Sequence, residues 1–141
     1  MDATIAICDS PTDAVRDAIA SSLGHFNAEN GYPPDRQSVA VTLANEDGQI
    51  VGGLWGKTVY EWLFVEFLVV PASLRGRDLG SKLMNTAEQI AIERGCVGAW
   101  LTTFTFQAQG FYEKLGYEVF GALEKSPGAN VRLFLRKQLS A

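Results

Sequence analysis

Apolar residues along this chain change period several times, and each change marks an element. Residues 4–8 are a short apolar run suited to a first strand. Asp9-Ser10-Pro11-Thr12-Asp13 then reads as a helix start, with a capping residue and an early proline. Val15, Ala18, Ile19 and Leu23 follow at helical spacing. Asn30-Gly31-Tyr32-Pro33-Pro34 ends any helix, and residues 23–35 read as partly helical or mobile. The period then drops to two. Residues 38–43 alternate and are rich in β-branched side chains, Asn45-Glu46-Asp47-Gly48 is a hairpin turn, and residues 49–59 form the returning strand. Within that strand Gly52-Gly53 marks a bulge or a close backbone approach.

Residues 61–70 are a third, strongly apolar strand. Helical spacing returns from residue 79 to 94, where Leu79, Leu83, Ala87, Ile90 and Ala91 form one stripe and Gly95 ends the helix. Residues 98–104 predict a strand, 108–115 a short helix stopped by Gly116, and 117–121 a strand. After Pro127-Gly128, residues 131–139 supply the last one. No linker, repeat or low-complexity segment interrupts the order, which predicts a single mixed α/β domain of the α+β type over residues 1–141.

Composition narrows the function more than the fold. The chain is 47% hydrophobic and 20% charged, ordinary for a soluble globular protein of 141 residues. No apolar run is long enough for a membrane span, and the start of the chain lacks the pattern of a signal peptide. A net charge of −4 argues against a broad nucleic-acid surface and suits a cationic substrate. His25 is the only histidine, which leaves no His-based metal site and no evident nucleophile motif. Cys8 and Cys96 form no paired motif and are expected as free thiols in a cytoplasmic protein.

The candidate chemistry sits where the third strand gives way to the helix. Val69-Val70-Pro71-Ala72-Ser73-Leu74-Arg75-Gly76-Arg77-Asp78-Leu79-Gly80-Ser81 is a strand end, a basic glycine-bearing loop and a helix start. Unpaired N–H groups and the positive dipole end suit a phosphate or pyrophosphate there. Gly76 and Gly80 let such an anion approach the backbone, and Arg75 and Arg77 add charge. Neither the triphosphate P-loop pattern nor the dinucleotide fingerprint is present. An ordinary strand-to-helix turn with solvated arginines is the plainer alternative. Upstream, Glu66 is the one charge inside Leu63-Phe64-Val65-Glu66-Phe67-Leu68-Val69-Val70. Burying an unpaired carboxylate is costly, so Glu66 is either functional or a paired structural residue.

A second segment, Ala108-Gln109-Gly110-Phe111-Tyr112-Glu113-Lys114-Leu115-Gly116-Tyr117, reads alone as a short amphipathic helix with a glycine cap. Taken with the loop, it resembles the GNAT superfamily of N-acetyltransferases. That family carries a pyrophosphate loop, Q/R-x-x-G-x-G/A, and a later A-x-x-F-Y-x-K-L-G-F/Y helix. Arg75, Leu79 and Gly80 fit the first; Ala108, Phe111, Tyr112, Lys114, Leu115, Gly116 and Tyr117 fit the second. Asp78 departs, standing where the family has its middle glycine. It is either a helix cap turned away from the ligand, the favoured reading, or a carboxylate that weakens the cradle.

The resemblance implies a mixed, mostly antiparallel sheet of six to seven strands flanked by about four helices. It implies acetyl-CoA as cosubstrate and no metal, with the pyrophosphate on the amides of Arg75, Gly76, Arg77, Asp78, Leu79, Gly80 and Ser81. The pantetheine arm would add to the backbone of Leu68, Val69 and Val70 beside a splayed gap between two strands. An amine would attack the thioester directly, with Glu66 as general base, directly or through water, and Tyr112 as general acid. A core tyrosine is the alternative for Tyr112. Acceptor specificity is expected from residues 23–36, 55–62 and 104–107, with the acceptor's identity open and a homodimer allowed. The competing class is a non-catalytic acyl-CoA-binding or regulatory domain of the same fold.

Overall fold

The computed structural model describes residues 2–124 and 130–139. The chain divides into two compact units, Met1–Pro34 and Asp35–Ala141. In the first, α1 (Asp13–Glu29) begins at Thr12, whose hydroxyl accepts the Val15 N–H at 3.3 Å. The helix runs unbroken to Asn30, whose amide side chain bonds the Phe26 carbonyl. Nothing before Asn30 breaks it, so the helical part of residues 23–35 is the end of α1. Residues 4–8 are not a strand: they pair with nothing, and Ile5 and Ile7 are exposed. An apolar run becomes a strand only where an edge accepts it.

The second unit is built on one six-stranded sheet in the order β1-β2-β3-β4-β6-β5. Its strands are β1 (Gln37–Ala44), β2 (Ile50–Val59), β3 (Trp62–Val69), β4 (Gly98–Phe104), β5 (Glu118–Leu123) and β6 (Arg132–Gln138). Every pairing is antiparallel except β3 with β4. The helices are α2 (Leu79–Glu93) and α3 (Gln109–Lys114), giving three α-helices among the described residues instead of about four. The expected turn at Pro127-Gly128 lies outside the described residues.

α2 packs on β1, β2 and β3. Leu83, Ala87 and Ala91 of the expected stripe are buried, joined by Met84, against Val39, Leu54, Leu63, Val65, Leu101 and Leu135. Arg94 pins the far end of the helix, donating to the Ser38 carbonyl and the Thr58 hydroxyl at 3.2 Å each. The glycine pair in β2 is a close approach: a Cβ on Gly53 would lie 2.3 Å from the Val41 carbonyl oxygen. No helix of the described chain is long and apolar enough to cross a membrane.

Candidate active site

The parallel pair β3–β4 is the break in an otherwise antiparallel sheet, and the cleft grows from it. The two strands are in register only from Trp62↔Gly98 to Val65↔Leu101. Beyond that point β4 stays with β6 as far as Arg132, and β3 stays with β2. The strands therefore splay. The edge of β3 facing the gap keeps unpaired backbone donors and acceptors over Glu66, Phe67, Leu68 and Val69, able to add an extended arm.

A bulge sets this off. Trp55 pairs Phe67, yet the next residue of β2, Gly56, pairs Val65, so Glu66 is the extra residue. Two residues against one bend a strand and re-aim side chains. Leu63 and Val65 are buried before the bulge, whereas Leu68 and Val70 join the core after it.

The cleft has a volume of about 1010 Å³. Its lining includes Glu66, Leu68, Val69, Val70, Arg75, Gly76, Asp78, Leu79, Gly80, Ser81 and Tyr112, bringing together every singled-out site residue except Arg77. Arg77 stands outside it, so its guanidinium is not part of the wall.

The basic loop has a definite local logic. After Pro71 a 3₁₀ turn spans Ala72–Leu74, and Arg75 Nε donates back to the Val70 carbonyl at 3.2 Å, closing it. Gly76 has φ +83°, a conformation that a side chain would strain. Gly80 is small for packing as well as for access: a Cβ there would lie 3.1 Å from Phe111 Cζ. The first turn of α2 thus sits tight against α3, with its free N–H groups at the cleft wall. Such a helix start, approached by a left-handed backbone, suits an anion.

Asp78 corrects one expectation. It holds the N-cap position and its carbonyl accepts the Lys82 N–H at 3.2 Å. Its carboxylate, however, makes no capping hydrogen bond, and φ is +60°. The residue takes the backbone shape that glycine adopts freely, at the place where the family has glycine, and it lines the cleft.

Glu66 also differs from the sequence picture. Its carboxylate is a quarter exposed and pairs with Lys57 Nζ at 3.4 Å, so it is neither fully buried nor alone. Lys57 lies over the Phe64 ring, 5.7 Å from its centroid, and Phe64 stacks on Trp100 at 4.1 Å. The sequence held a signal for Lys57: counting back through the tight turn at Tyr60-Glu61 pairs it with Phe64, two residues from Glu66.

Tyr112 is buried on α3, packed edge-on against Phe111 and Tyr117. Burial pushes its phenol above the usual value of 10, so the proton stays on oxygen at neutral pH. Gln107, in the segment 104–107 expected to set acceptor specificity, also lines the cleft. Its Oε1 accepts from Phe104 N at 2.8 Å and Thr103 Oγ1 at 3.1 Å.

Comparison with known proteins agrees with this architecture. The Acetyltransferase (GNAT) family model matches residues 10–117. The chain is 36% identical over 106 residues to acetyltransferase Atu2258 of Agrobacterium fabrum, covering 75% of this chain and 77% of that one. It is 39% identical over 101 residues to the blasticidin-S acetyltransferase of Streptomyces morookaense, covering 71% and 74%. A crystal structure of an acetyltransferase from Bacillus cereus superposes with a TM-score of 0.77 at 30% identity, over 94% of this chain and 97% of that one. An aminoglycoside 6′-N-acetyltransferase solved with coenzyme A shares the fold, with a TM-score of 0.62 at 23% identity over 95% and 96%.

The splayed parallel pair, the helix start beside it and these matches define an acyl-transfer enzyme. The chain belongs to the GNAT acetyltransferase family.

Proposed function

We propose that this enzyme acetylates a primary amine of a small molecule, with acetyl-CoA as donor, Glu66 receiving the ammonium proton and Tyr112 supplying the proton for the departing sulfur. The observation that carries the reading is the shared cleft. One wall is the unpaired edge of β3, another is the start of α2, and Glu66 and Tyr112 both line the space between. The residues present fit acetyl-CoA: an extended arm can pair with Leu68, Val69 and Val70, and a pyrophosphate can sit on the N–H groups of Gly76, Leu79, Gly80 and Ser81. Once bound, it supplies the thioester acetyl group.

The protein's own contributions are proton management and positioning. Glu66 lines the cleft beside Lys57, where its carboxylate can take the proton of an incoming ammonium. Burial keeps the Tyr112 phenol protonated at neutral pH, so it holds a proton to give the sulfur as the thioester C–S bond breaks. Trp55 and Phe67, paired across β2 and β3, and Phe106 in the cleft are exposed aromatics around this point. They favour an acceptor with an apolar or planar body. We place the enzyme in the cytoplasm, where Cys8 and Cys96 remain free thiols.

The test is thiol release from acetyl-CoA with a panel of blasticidin S, an aminoglycoside, tryptamine, spermidine and free lysine. Turnover of one or more small amines is expected. Tight acetyl-CoA binding with no turnover of any amine, lysine-bearing peptides included, would instead make the chain a non-catalytic acyl-CoA-binding domain.

A further inference from the structure

Outside the cleft, the described residues of the second unit include a buried polar cluster that the reaction as described does not use. Glu88, on α2, is 6% exposed. Its Oε2 accepts the Tyr117 hydroxyl at 2.8 Å and its Oε1 accepts Lys137 Nζ at 2.7 Å. Lys137 also lies over the Tyr117 ring, 5.7 Å from its centroid. None of the three lines the cleft.

The cluster's reach is toward Tyr112. Tyr117 follows α3 directly, its N–H donates to the Tyr112 carbonyl at 3.1 Å, and the two rings meet edge to face with centroids 6.1 Å apart. α3 is thereby held to α2 at two places. Phe111 is pressed against Gly80 at the cleft end, and Tyr117 is bonded to Glu88 more than two turns further along the same helix. Tyr112 lies between these attachments.

We propose that Glu88 and Tyr117 are positioning residues for Tyr112, fixing its hydroxyl relative to the start of α2. This rests on the reading of Tyr112 as the proton donor. Apolar side chains of similar volume would bury as much surface and hold the helices together at least as firmly. They would not set direction. A charge-assisted hydrogen bond at 2.8 Å allows little sliding or rotation of α3, and displacement of a donor by an ångström is enough to lower a rate strongly.

The experiment is a double-mutant cycle, measuring thiol release from acetyl-CoA with the panel amine that turns over fastest. Tyr117→Phe keeps the ring and loses the hydroxyl; it should lower kcat by about tenfold and leave KM for acetyl-CoA within twofold. In a Tyr112→Phe background the same change should lower kcat by less than about twofold, because the group it serves is gone. Glu88→Gln, which keeps an acceptor for the Tyr117 hydroxyl, should show a smaller loss with the same dependence on Tyr112. It supplies the answer if Tyr117→Phe fails to fold. Equal losses in both backgrounds, or a rise in KM with kcat unchanged, would overturn the positioning role. Wild-type kcat in Tyr112→Phe alone, or no amine turned over, would instead remove the reading of Tyr112 on which it rests.

Discussion

Lys57 Nζ lies 3.4 Å from Glu66 Oε1, across the point where β2 and β3 lose register. The pair explains how a carboxylate is tolerated in an apolar strand without deep burial of an unpaired charge. It also holds the carboxylate proposed as the base at the bulge, where Glu66 lines the cleft. The costly lone charge inferred from the sequence is thus a partnered one, and its claim to function rests on position.

Glu66→Gln is expected to lower kcat/KM by about 10- to 1000-fold, the usual range for a general base, with acetyl-CoA affinity unchanged. Lys57→Met retains the carboxylate and removes its partner; both groups are about a quarter exposed, so stability should move by less than about 1 kcal/mol. Its kcat/KM should fall far less than in Glu66→Gln. Steady-state rates and calorimetric titration with CoA separate these outcomes. Equal losses in the two variants would assign the role to the pair and not to the carboxylate.

For Tyr112, the Phe variant should lose about 10- to 1000-fold in kcat with acetyl-CoA binding intact. The pH dependence has a defined sign. Burial raises the phenol's pKa above 10, so the proton-bearing form persists through neutral and mildly alkaline pH. No loss of kcat attributable to this group is expected below about pH 10. A wild-type rate in Tyr112→Phe would leave the residue a core tyrosine.

What the sequence made legible follows from how local each signal is. β4 and the ends of α2 could be read because periodicity and glycine stops are written in the element itself, and the loop and late helix because both motifs are contiguous. The strand assigned to residues 4–8 failed because pairing is not local: a short apolar run does not say whether an edge awaits it. Glu66 was found, but its partner Lys57 belongs to the neighbouring strand and emerges only from register. Gly80 suggested access for an anion, while its contact with Phe111 depends on how α2 and α3 pack. Of the Glu88–Tyr117–Lys137 cluster only Tyr117 was marked, by the late motif, and its bond to Glu88 depends on how distant segments pack.

Asp78 offers a separable charge and backbone effect. Its φ of +60° costs a non-glycine residue strain, though less for Asp or Asn than for others. Asp78→Asn removes the charge at constant conformational preference, and Asp78→Gly removes both. Each should tighten CoA binding by about 1 kcal/mol, roughly fivefold, since the carboxylate lines the cleft and screening limits the gain. Only the glycine variant should also raise Tm. Calorimetric titration and thermal melts test the two parts independently; CoA affinity unchanged in both variants would show that the carboxylate does not sense the anion.

Tyr117 is expected to contribute to alkaline unfolding. Burial is the main cause raising its pKa, and the charge and hydrogen bond of Glu88 add to it. The native state therefore holds this proton more tightly than the unfolded chain, in which a tyrosine titrates near pH 10. The stabilisation is complete below that pH and declines as pH rises above it, by up to about 1.4 kcal/mol per pH unit for one tyrosine. Tyr112, shifted the same way by burial, steepens the decline. Tyr117→Phe should melt lower at pH 8, having lost a buried hydrogen bond worth about 1–3 kcal/mol. Between pH 10 and 11.5 its Tm should fall less steeply than that of the wild type, because one of the protons that distinguishes the two states is gone. Circular dichroism melts across pH 8 to 11.5 provide the measurement, and parallel Tm curves for the two proteins would mean that Tyr117 does not govern the alkaline transition.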